Sequence, residues 1–498
     1  SIENDRNKTT VNSLQGSASI GFQPLKWLSF NYRLAATYSG TNFTNTIAEQ
    51  IHSDYAKTNT TVIFATEDGA GFDTVPFGVR AVSLNQNASY INIKNTNFLW
   101  TSDFTTTIDK DIANKVNLKF IAGTSFIDNA LTSSSVGADA LNFNVYNVDS
   151  RIGLPSVGES SAQARRFGVF GDATIAYDNK IFINGSYRVD LDSRLSKENR
   201  WIPYYGASAS FVLTDIIPSI QSDNVLNFAK IRAAYSVTGN ASALGNGSKF
   251  IANGAYRNSL TYVPGAGFPF GSTIGFVPTT LIPNPAIKPE IITEIELGYE
   301  LSFMNSRLNV NGAVYQSTTT DGIVFASIST GTGGSRALVN AAETRNRGFE
   351  VDVNYALLKR KDLIWRVGAN WSHIESKVLK INADTKEIQT GGSNGNSFAI
   401  VGEPYPSIKS SDWIRDSISG KIIVDPVDGL PDLATDFVSL GSAVPIDIIG
   451  LTTSVKWKSF SLSAVAEYRG GHKIFNALAA TLDFSGVSSA TVSNGRQP

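Results

Sequence analysis

Three glutamates, Glu294, Glu296 and Glu300, recur at even positions within one short segment of this 498-residue chain. In a β-strand every second side chain shares a face, and neighbours two residues apart are separated by about 7 Å. Two carboxylates at such a spacing could act as acid and base in glycoside hydrolysis. The intervening Ile295 and Leu297 are apolar, so the segment also fits a strand with one wet and one apolar face. We therefore interpret the glutamates as a solvated or salt-bridged row that would face the water-filled lumen of a barrel built from such strands. We expect no enzyme activity.

Oxygen ligands for a metal ion cluster at one other place. Asp425, Asp428 and Asp432 lie around Gly429 in a long loop and could hold Ca²⁺, but the full EF-hand spacing is not met. The three histidines of the chain are far apart and show no paired zinc-ligand spacing. Cysteine is absent, which excludes disulfides and thiolate metal sites. We expect neither a metal nor another cofactor.

The elements that carry these residues are predicted to be strands. Alternation of apolar and polar residues between turn residues indicates fourteen of them. The connections are alternately tight, as at 178–179 and 304–306, and long, as at 240–290 and 376–446. An up-and-down sheet with all its elaboration at one end is typical of an outer-membrane barrel. The strands are predicted at 15–24, 27–39, 89–108, 115–127, 165–177, 180–192, 201–213, 227–239, 291–303, 307–317, 345–358, 363–375, 447–457 and 459–469.

The second predicted strand shows the alternation most clearly. Phe30, Tyr32 and Leu34 share one face, and Asn31 and Arg33 share the other. Twelve residues reach roughly 40 Å, and a tilt near 45° reduces this to about 28 Å along the membrane normal, which is the thickness of a hydrocarbon core. A secreted all-β adhesin or carbohydrate-active protein built of sandwiches has the same alternation. Strand length and the one-sided loops favour the membrane barrel.

Composition is compatible with that class. Hydrophobic residues make up 42% and charged residues 17% of the chain, with no apolar run of the length that a membrane helix needs, so insertion would be by strands. The net charge of −1 gives no electrostatic reason to expect nucleic acid as a partner. The chain begins at Ser1 without a leader and ends on loop-like residues, so we expect strands to be missing on both sides.

The clearest short motif of the chain is NPAIKPE at 284–290, followed by TEIELGYE at 293–300. It resembles the signature of SusC/RagA-type TonB-dependent transporters of Bacteroidota, and further segments resemble other motifs of that family. An ordered set of such motifs is far more specific than any one member. The matching segments, in the order that the family has them, are 188–194, 201, 230–240, 284–300, 303–315, 340–350, 402–406, 425–431 and 469–476.

The resemblance implies an all-β fold, a transmembrane antiparallel up-and-down β-barrel of 22 strands in the cell outer membrane, of which about 14 lie in this sequence. Residues 1–498 would all belong to this barrel domain. In the family, an N-terminal plug domain contacts the TonB–ExbB–ExbD complex, and a SusD-like surface lipoprotein forms a lid. The chain would then be part of an active importer of oligosaccharides or peptides, embedded in outer-membrane lipid. A siderophore- or cobalamin-type receptor without a lid is the alternative within the same fold.

Substrate and lid would be contacted by the long loops, because loops carry binding in most scaffolds. Aromatic side chains in the two largest loops could stack on sugar rings or peptide side chains, dock the lid, or pack the loops together. The candidates are Tyr256, Tyr262, Phe268, Phe270, Tyr405 and Trp413.

Overall fold

The structure is a computed structural model. Its described residues are 6–49, 61–65, 72–76, 87–142, 145–222, 224–241, 262–264, 275–278, 281–282, 284–327, 329, 331, 334, 336–381, 385–391, 397–427, 429–474, 476, 478–479 and 482.

Within these described ranges, fourteen long strands form one continuous antiparallel sheet in which each strand pairs with the next long strand along the chain. This meander confirms the predicted up-and-down order. The long strands are β1 (Arg6–Leu25), β2 (Leu28–Ile47), β5 (Ser89–Ala113), β6 (Val116–Ala138), β7 (Ser156–Tyr177), β8 (Ile181–Asp192), β9 (Trp201–Val212), β10 (Leu226–Asn240), β14 (Glu290–Phe303), β15 (Leu308–Ser327), β16 (Arg336–Arg360), β17 (Leu363–Lys380), β22 (Asp447–Trp457) and β23 (Phe460–Gly470).

Short strands lie in the connections between the long ones. The pair β3 and β4 and the pair β11 and β12 form two small antiparallel ladders, β13 pairs in parallel with β16, and β18 to β21 form a four-stranded sheet. Their bounds are β3 (Thr61–Ala65), β4 (Phe72–Pro76), β11 (Tyr262–Pro264), β12 (Phe276–Pro278), β13 (Leu281–Ile282), β18 (Glu387–Gly391), β19 (Ser397–Ile400), β20 (Ser407–Ser410) and β21 (Val438–Ser442).

The tight turns lie at one end of the sheet, called the turn end. Asp178 and Asn179 both have φ near 50°, as a two-residue type I′ hairpin requires, and Met304, Asn305 and Ser306 are also left-handed. The connection between β9 and β10 holds one helical turn, Leu213–Ile216, and a 3₁₀ turn, Pro218–Ile220. No helix in the described part of the chain is long and apolar enough to cross a membrane.

At the opposite end, called the loop end, several strands run well past their predicted limits. β6 reaches Ala138 where the prediction ends at 127, β7 begins at Ser156 where it begins at 165, and β15 continues to Ser327. The predicted loops 128–164 and 318–344 are therefore wrong in large part. These extensions are rich in Ser and Thr, as in LTSSS at 131–135. Alternation marks only strands with one apolar environment, so a ladder that is wet on both faces carries no such pattern.

The two faces of the sheet differ as the alternation predicts. One face, the apolar face, exposes large hydrophobic side chains such as Leu34, Ile183, Ile295 and Leu297. The alternate positions form the polar face, which carries charged and hydroxyl-bearing side chains. Buried apolar clusters lie at the loop end instead, and the largest contains Leu195, Ile202, Ala241, Ile287 and Leu338.

Candidate functional site

A row of ion pairs crosses the polar face at β10 and β14. The Arg232 guanidinium donates from Nε to Glu296 at 3.1 Å and places Nη1 3.5 Å from Glu300, while Lys230 donates to Glu300 at 3.1 Å. Glu294 lies on the same face, one step toward the loop end. All the paired side chains are about one-third exposed, so each pair stabilises the fold by no more than about 1 kcal/mol. The arrangement suits a charged wall better than an acid–base pair.

A second polar cluster lines a cavity of about 690 Å³ on the same face, across β6 to β10. The buried Asp190 carboxylate accepts from Arg188 Nε at 2.6 Å and lies 3.8 Å from Arg166 Nε. A Cβ added at Gly168 would lie 2.2 Å from the Asp190 carboxylate, so glycine leaves room for this pair. Two residues after Asp190, the buried Asp192 carboxylate accepts hydrogen bonds from Nε and Nη2 of Arg194. Four of these residues belong to the 188–194 motif, but the sequence alone gave no partner for them.

A third cavity, the loop-end pocket of about 450 Å³, lies between the loop ends of β14 to β17 and the sheet of β18 to β21. Among its lining residues in the described chain, Glu290 alone is charged, and its two oxygens already accept from Ile323 N at 2.9 Å and Asn240 Nδ2 at 3.0 Å. The pocket therefore offers hydroxyls, amides and apolar surface together with one hydrogen-bonded carboxylate. The remaining lining side chains are Thr319, Val324, Phe325, Ala342, Thr344, Asn346, Val378, Ile381, Ile388, Gln389, Thr390, Ala399 and Tyr405.

The β18–β21 sheet is held over this pocket by β17. Val378 donates to the carbonyl of Glu403 and accepts from the amide of Gly402, both at 2.8 Å. Val378, Ile381 and Ala399 form a small buried cluster beneath the sheet. Because the anchor uses backbone hydrogen bonds and apolar contacts, the sheet has a defined position over the pocket.

The profile of a family described as "TonB dependent receptor-like, beta-barrel" matches residues 3–469. The chain belongs to this family. TonB-dependent receptor P39 of Formosa agariphila is 29% identical over 222 residues, which cover 44% of this chain and 20% of that receptor. TonB-dependent receptor SusC of Bacteroides thetaiotaomicron is 24% identical over 308 residues, which cover 59% of this chain and 30% of SusC. The matched segments thus cover well under half the length of these relatives.

Solved structures show the same fold. The RagAB peptide transporter matches with a TM-score of 0.70 at 16% identity, covering 93% of this chain and 48% of that one. The outer-membrane transporter YddB from Escherichia coli matches with a TM-score of 0.51 at 12% identity, covering 93% of this chain and 59% of that one. The findings confirm the predicted SusC/RagA-type receptor, its β-barrel fold and its outer-membrane location. In such barrels the short turns are periplasmic and the long loops extracellular, so the loop end of this receptor is extracellular.

In this TonB-dependent receptor the NPAIKPE motif ties strand ends together. Asn284 donates to the carbonyl of Leu338 at 2.8 Å and accepts from Ala286 N at 3.0 Å. Asn340 accepts from Lys288 N and donates to the Lys288 and Asp321 carbonyls, each at 2.8 Å. With Glu290 bonded to Asn240 and Ile323, the motif joins β10, β14, β15 and β16. The motif that identifies the family is thus structural in its local role.

Residues 411–427 and 429–437 form a small three-segment unit outside the membrane-spanning strands, called the meander, with bridges Trp413 to Leu433, Arg415 to Ile422 and Val424 to Pro431. Its two hairpin tips present Ile418 and Val427, which are 95% and 91% exposed. The hydrogen bond from the Arg415 guanidinium lowers the pKa of Asp412, and the hydrogen bond from the Ser419 hydroxyl lowers the pKa of Asp416. Both carboxylates hold the hairpin turns in shape, and the apolar tips stay uncovered.

The predicted loop aromatics are placed only in part. Tyr405 lines the loop-end pocket and Trp413 lies in the meander, so the two are not in one site. Tyr262 belongs to β11, whose side chains lie outside the described residues, as do Tyr256, Phe268 and Phe270 altogether. Their role in binding stays a prediction.

The aspartates of the candidate calcium loop are also described incompletely. Asp425 accepts from Val427 N at 2.6 Å, as a turn residue does, and Asp428 lies outside the described residues. Within the part of the chain that the structure describes, no group of three His, Cys, Asp or Glu side chains could hold a metal ion.

Proposed function

We propose that this receptor is the barrel wall of an active importer of oligomeric nutrients, oligosaccharides or peptides, that works with a SusD-like surface lipoprotein. Energy would come from the TonB–ExbB–ExbD complex acting on a plug domain, as the family resemblance implies. In this proposal the barrel binds and guides substrate and performs no covalent chemistry.

The observation that carries the proposal is the loop-end pocket. Its lining of hydroxyls, amides and aliphatic surface suits a neutral or amphipathic oligomer, which is recognised by hydrogen bonds and apolar contact together. A receptor for an anionic metal chelate would place cations in its pocket, whereas none of the described lining residues is Lys, Arg or His. The fold match to the RagAB peptide transporter supports the same substrate class.

The meander supports a lid partner. Contiguous exposed apolar patches mark interaction surfaces, whereas single exposed hydrophobic residues are common. The meander exposes four large apolar side chains within 16 residues, and Ile418, Val427, Leu430 and Leu433 are 95%, 91%, 62% and 59% exposed. We infer that this surface contacts the lipoprotein, with the loop-end pocket beneath it.

Growth tests the import proposal. A strain that carries the full-length receptor with Tyr405→Ala and Thr390→Val should grow slowly on the oligosaccharide or peptide that the wild type uses as sole carbon source, and normally on the free monomer. The matched control is Trp457→Ala, an exposed aromatic at the turn end, away from both the pocket and the meander. Unchanged growth of a deletion strain on all oligosaccharides and peptides offered would contradict import of these nutrients.

Co-purification tests the lid separately. Ile418→Asp with Val427→Asp should release a surface lipoprotein that otherwise purifies with the detergent-extracted receptor, because a charge in an apolar interface is left unsolvated. Ser417→Asp, beside one tip, is the control. If the receptor purifies without a lipoprotein in every case, the alternative of a siderophore- or cobalamin-type receptor without a lid gains support.

A further inference from the structure

A groove of about 560 Å³ lies on the apolar face, away from every cavity described above, across β14 to β17. Its floor is made of Ile295, Leu297, Val314 and Phe349. The pairing register places all four on the face that exposes hydrophobic side chains. In an outer-membrane receptor this face meets lipid, so the groove is a furrow in the lipid-facing wall.

The extracellular rim of the groove carries charge. Arg347 pairs in register with Glu375, and its guanidinium lies 2.7 Å from the Glu375 carboxylate. His373, below them, stacks on Phe349 at 5.5 Å and bonds Asp447 at 2.8 Å. These side chains have the parity of the floor residues, so they too point away from the lumen.

The height of the rim can be gauged from Trp365, which lies on the same face near the turn end. Ten residues separate Trp365 from Glu375, which corresponds to about 33 Å along the strand and about 25 Å along the membrane normal at the usual tilt. This is the height of the apolar band of such barrels. Arg347 and Glu375 therefore lie where hydrocarbon gives way to headgroups of the outer leaflet.

One step higher, Arg345 and Lys377 face each other directly across the β16–β17 ladder. Like charges in register are unfavourable, and neither side chain forms an ion pair among the described residues. The Glu375 carboxylate is bonded to Arg347 and is also attracted by Arg345 and Lys377, while Asp447 is bonded to Trp371 and His373. Three cations, Arg345, Arg347 and Lys377, thus share the Glu375 carboxylate at the level of the lipid headgroups.

We propose that this groove and its rim bind a lipid with a phosphorylated headgroup from the outer leaflet. An acyl chain would lie on the Ile295–Phe349 floor, and the phosphate would add negative charge where three cations share one carboxylate. The proposal rests on the outer-membrane location and on charge complementarity, and it is independent of the imported substrate.

A charged pair on β6 and β7 lies at a similar height on the apolar face and serves as a comparison, because its cation has its own carboxylate partner. On β6 and β7, Arg165 lies on the apolar face opposite Asp128 and bonds its carboxylate at 3.0 Å, and Gln163 donates to both oxygens of Asp128. Cation and anion balance one to one, so nothing is left for a phosphate. Arg165 is therefore the matched control.

The test is lipid retention by the purified full-length receptor in detergent, measured by native mass spectrometry with lipid A that carries one phosphate or none. Arg345→Gln with Lys377→Gln should weaken retention of the monophosphorylated form by about thirtyfold, since each surface cation contributes about a factor of five. Retention of the dephosphorylated form should not change. Arg165→Gln should leave both forms as in the wild type.

Stability separates binding from folding. The double variant removes two opposed like charges and no ion pair, so its unfolding temperature should be equal to or slightly above that of the wild type. Val314→Trp fills the floor and should weaken both lipid forms alike. Equal retention of the two lipid forms by the wild type, or no loss in the double variant, would mean annular lipid only and would overturn the proposal. Growth on nutrient does not enter this readout, so import and lipid binding can fail separately.

Discussion

The two faces of β14 show how one residue of register changes the environment of a side chain. Glu296 and Glu300 meet Arg232 and Lys230 on the polar face, whereas Leu297, between them, is 55% exposed on the apolar face. Both kinds of residue are accessible, so exposure alone does not tell which face meets water and which meets lipid. What differs is the medium: water on one side and hydrocarbon on the other. The fold is therefore tolerant of charge on one face and intolerant of it on the other.

Placing the same charge on each face tests most directly whether one face meets hydrocarbon and the other meets water. Leu297 lies about 15 Å above the turn end, near the middle of the bilayer. Leu297→Arg should cost about 2–4 kcal/mol of folding free energy and prevent assembly in the outer membrane. The measurement is the fraction of receptor that migrates as the folded, heat-modifiable form in gel electrophoresis.

Ser236→Arg is the control on the polar face, because Ser236 pairs in register with Glu294 on β14. This variant should assemble normally, since the added cation is solvated and lies beside a carboxylate. Equal assembly of both variants would contradict the assignment of the two faces.

The two faces also contain glycines that differ in the space available for an added side chain. On the polar face, a Cβ at Gly348 would lie 2.2 Å from the carbonyl oxygen of His373 and 2.9 Å from the Tyr315 hydroxyl. Backbone cannot move aside as a side chain can, so Gly348→Ala should destabilise the fold by about 1–3 kcal/mol. The measurement is the urea midpoint of refolding into detergent micelles.

Gly185, on the apolar face of β8, provides the contrast. An added Cβ there meets no atom within 4 Å. Gly185→Ala should therefore be neutral or stabilising by up to about 1 kcal/mol, because alanine restricts the unfolded chain. A larger loss at Gly185 than at Gly348 would contradict this reading of the packing.

The sequence was sufficient for most of the wall. All fourteen long strands, the tight turns and the two faces follow from alternation and turn residues, because lipid on one side imposes a period of two. The sequence did not predict the elements that lie above the membrane. The polar extensions of β6, β7 and β15 are wet on both faces, and the short strands β18 to β21 have only four or five residues each, so no clear alternation marks them.

The site was less predictable because its residues meet across the sheet. The glutamate row was visible in one segment, but Arg232 lies 64 residues from Glu296, and only the register brings the two together. Asn340 likewise bonds Lys288 from 52 residues away. Motif resemblance identified these segments as belonging to a family, whereas the hydrogen bonds explain what they hold in place.

The ion pairs of the polar face are solvated and should each contribute little to stability. Arg232→Gln removes both contacts of this guanidinium, to Glu296 and to Glu300, but leaves Lys230 on Glu300. Because the groups are solvated, the free energy of unfolding should fall by less than about 1 kcal/mol. A double-mutant cycle with Glu296→Gln measures the coupling by urea refolding, and added salt should reduce it. A coupling of several kcal/mol would mean that the row is desolvated.

The smallest effect is expected outside the membrane, in the meander. The Asp416 carboxylate accepts from Ser419 Oγ and N, both at 2.6 Å, and these bonds hold its pKa below the ordinary 3.8. The pKa of Asp412 is lowered as well, by Arg415 and then by the amide of Trp413. A carboxyl whose pKa is depressed in the folded state stabilises that state above its ordinary pKa, and the contribution disappears as pH falls through the folded value.

Acid should therefore loosen the meander before it affects the wall. Hydrogen exchange, corrected for the intrinsic rate, should show less protection of the Gly420 amide, which donates to Asp416 O, at about pH 3 than at about pH 6. The β22–β23 ladder has no such carboxylate-held turn at its tight connection, so its amides should keep their protection. Asp416→Asn should reduce the pH dependence of Gly420. Equal protection at both pH values in the wild type would show that backbone hydrogen bonds alone hold the hairpin.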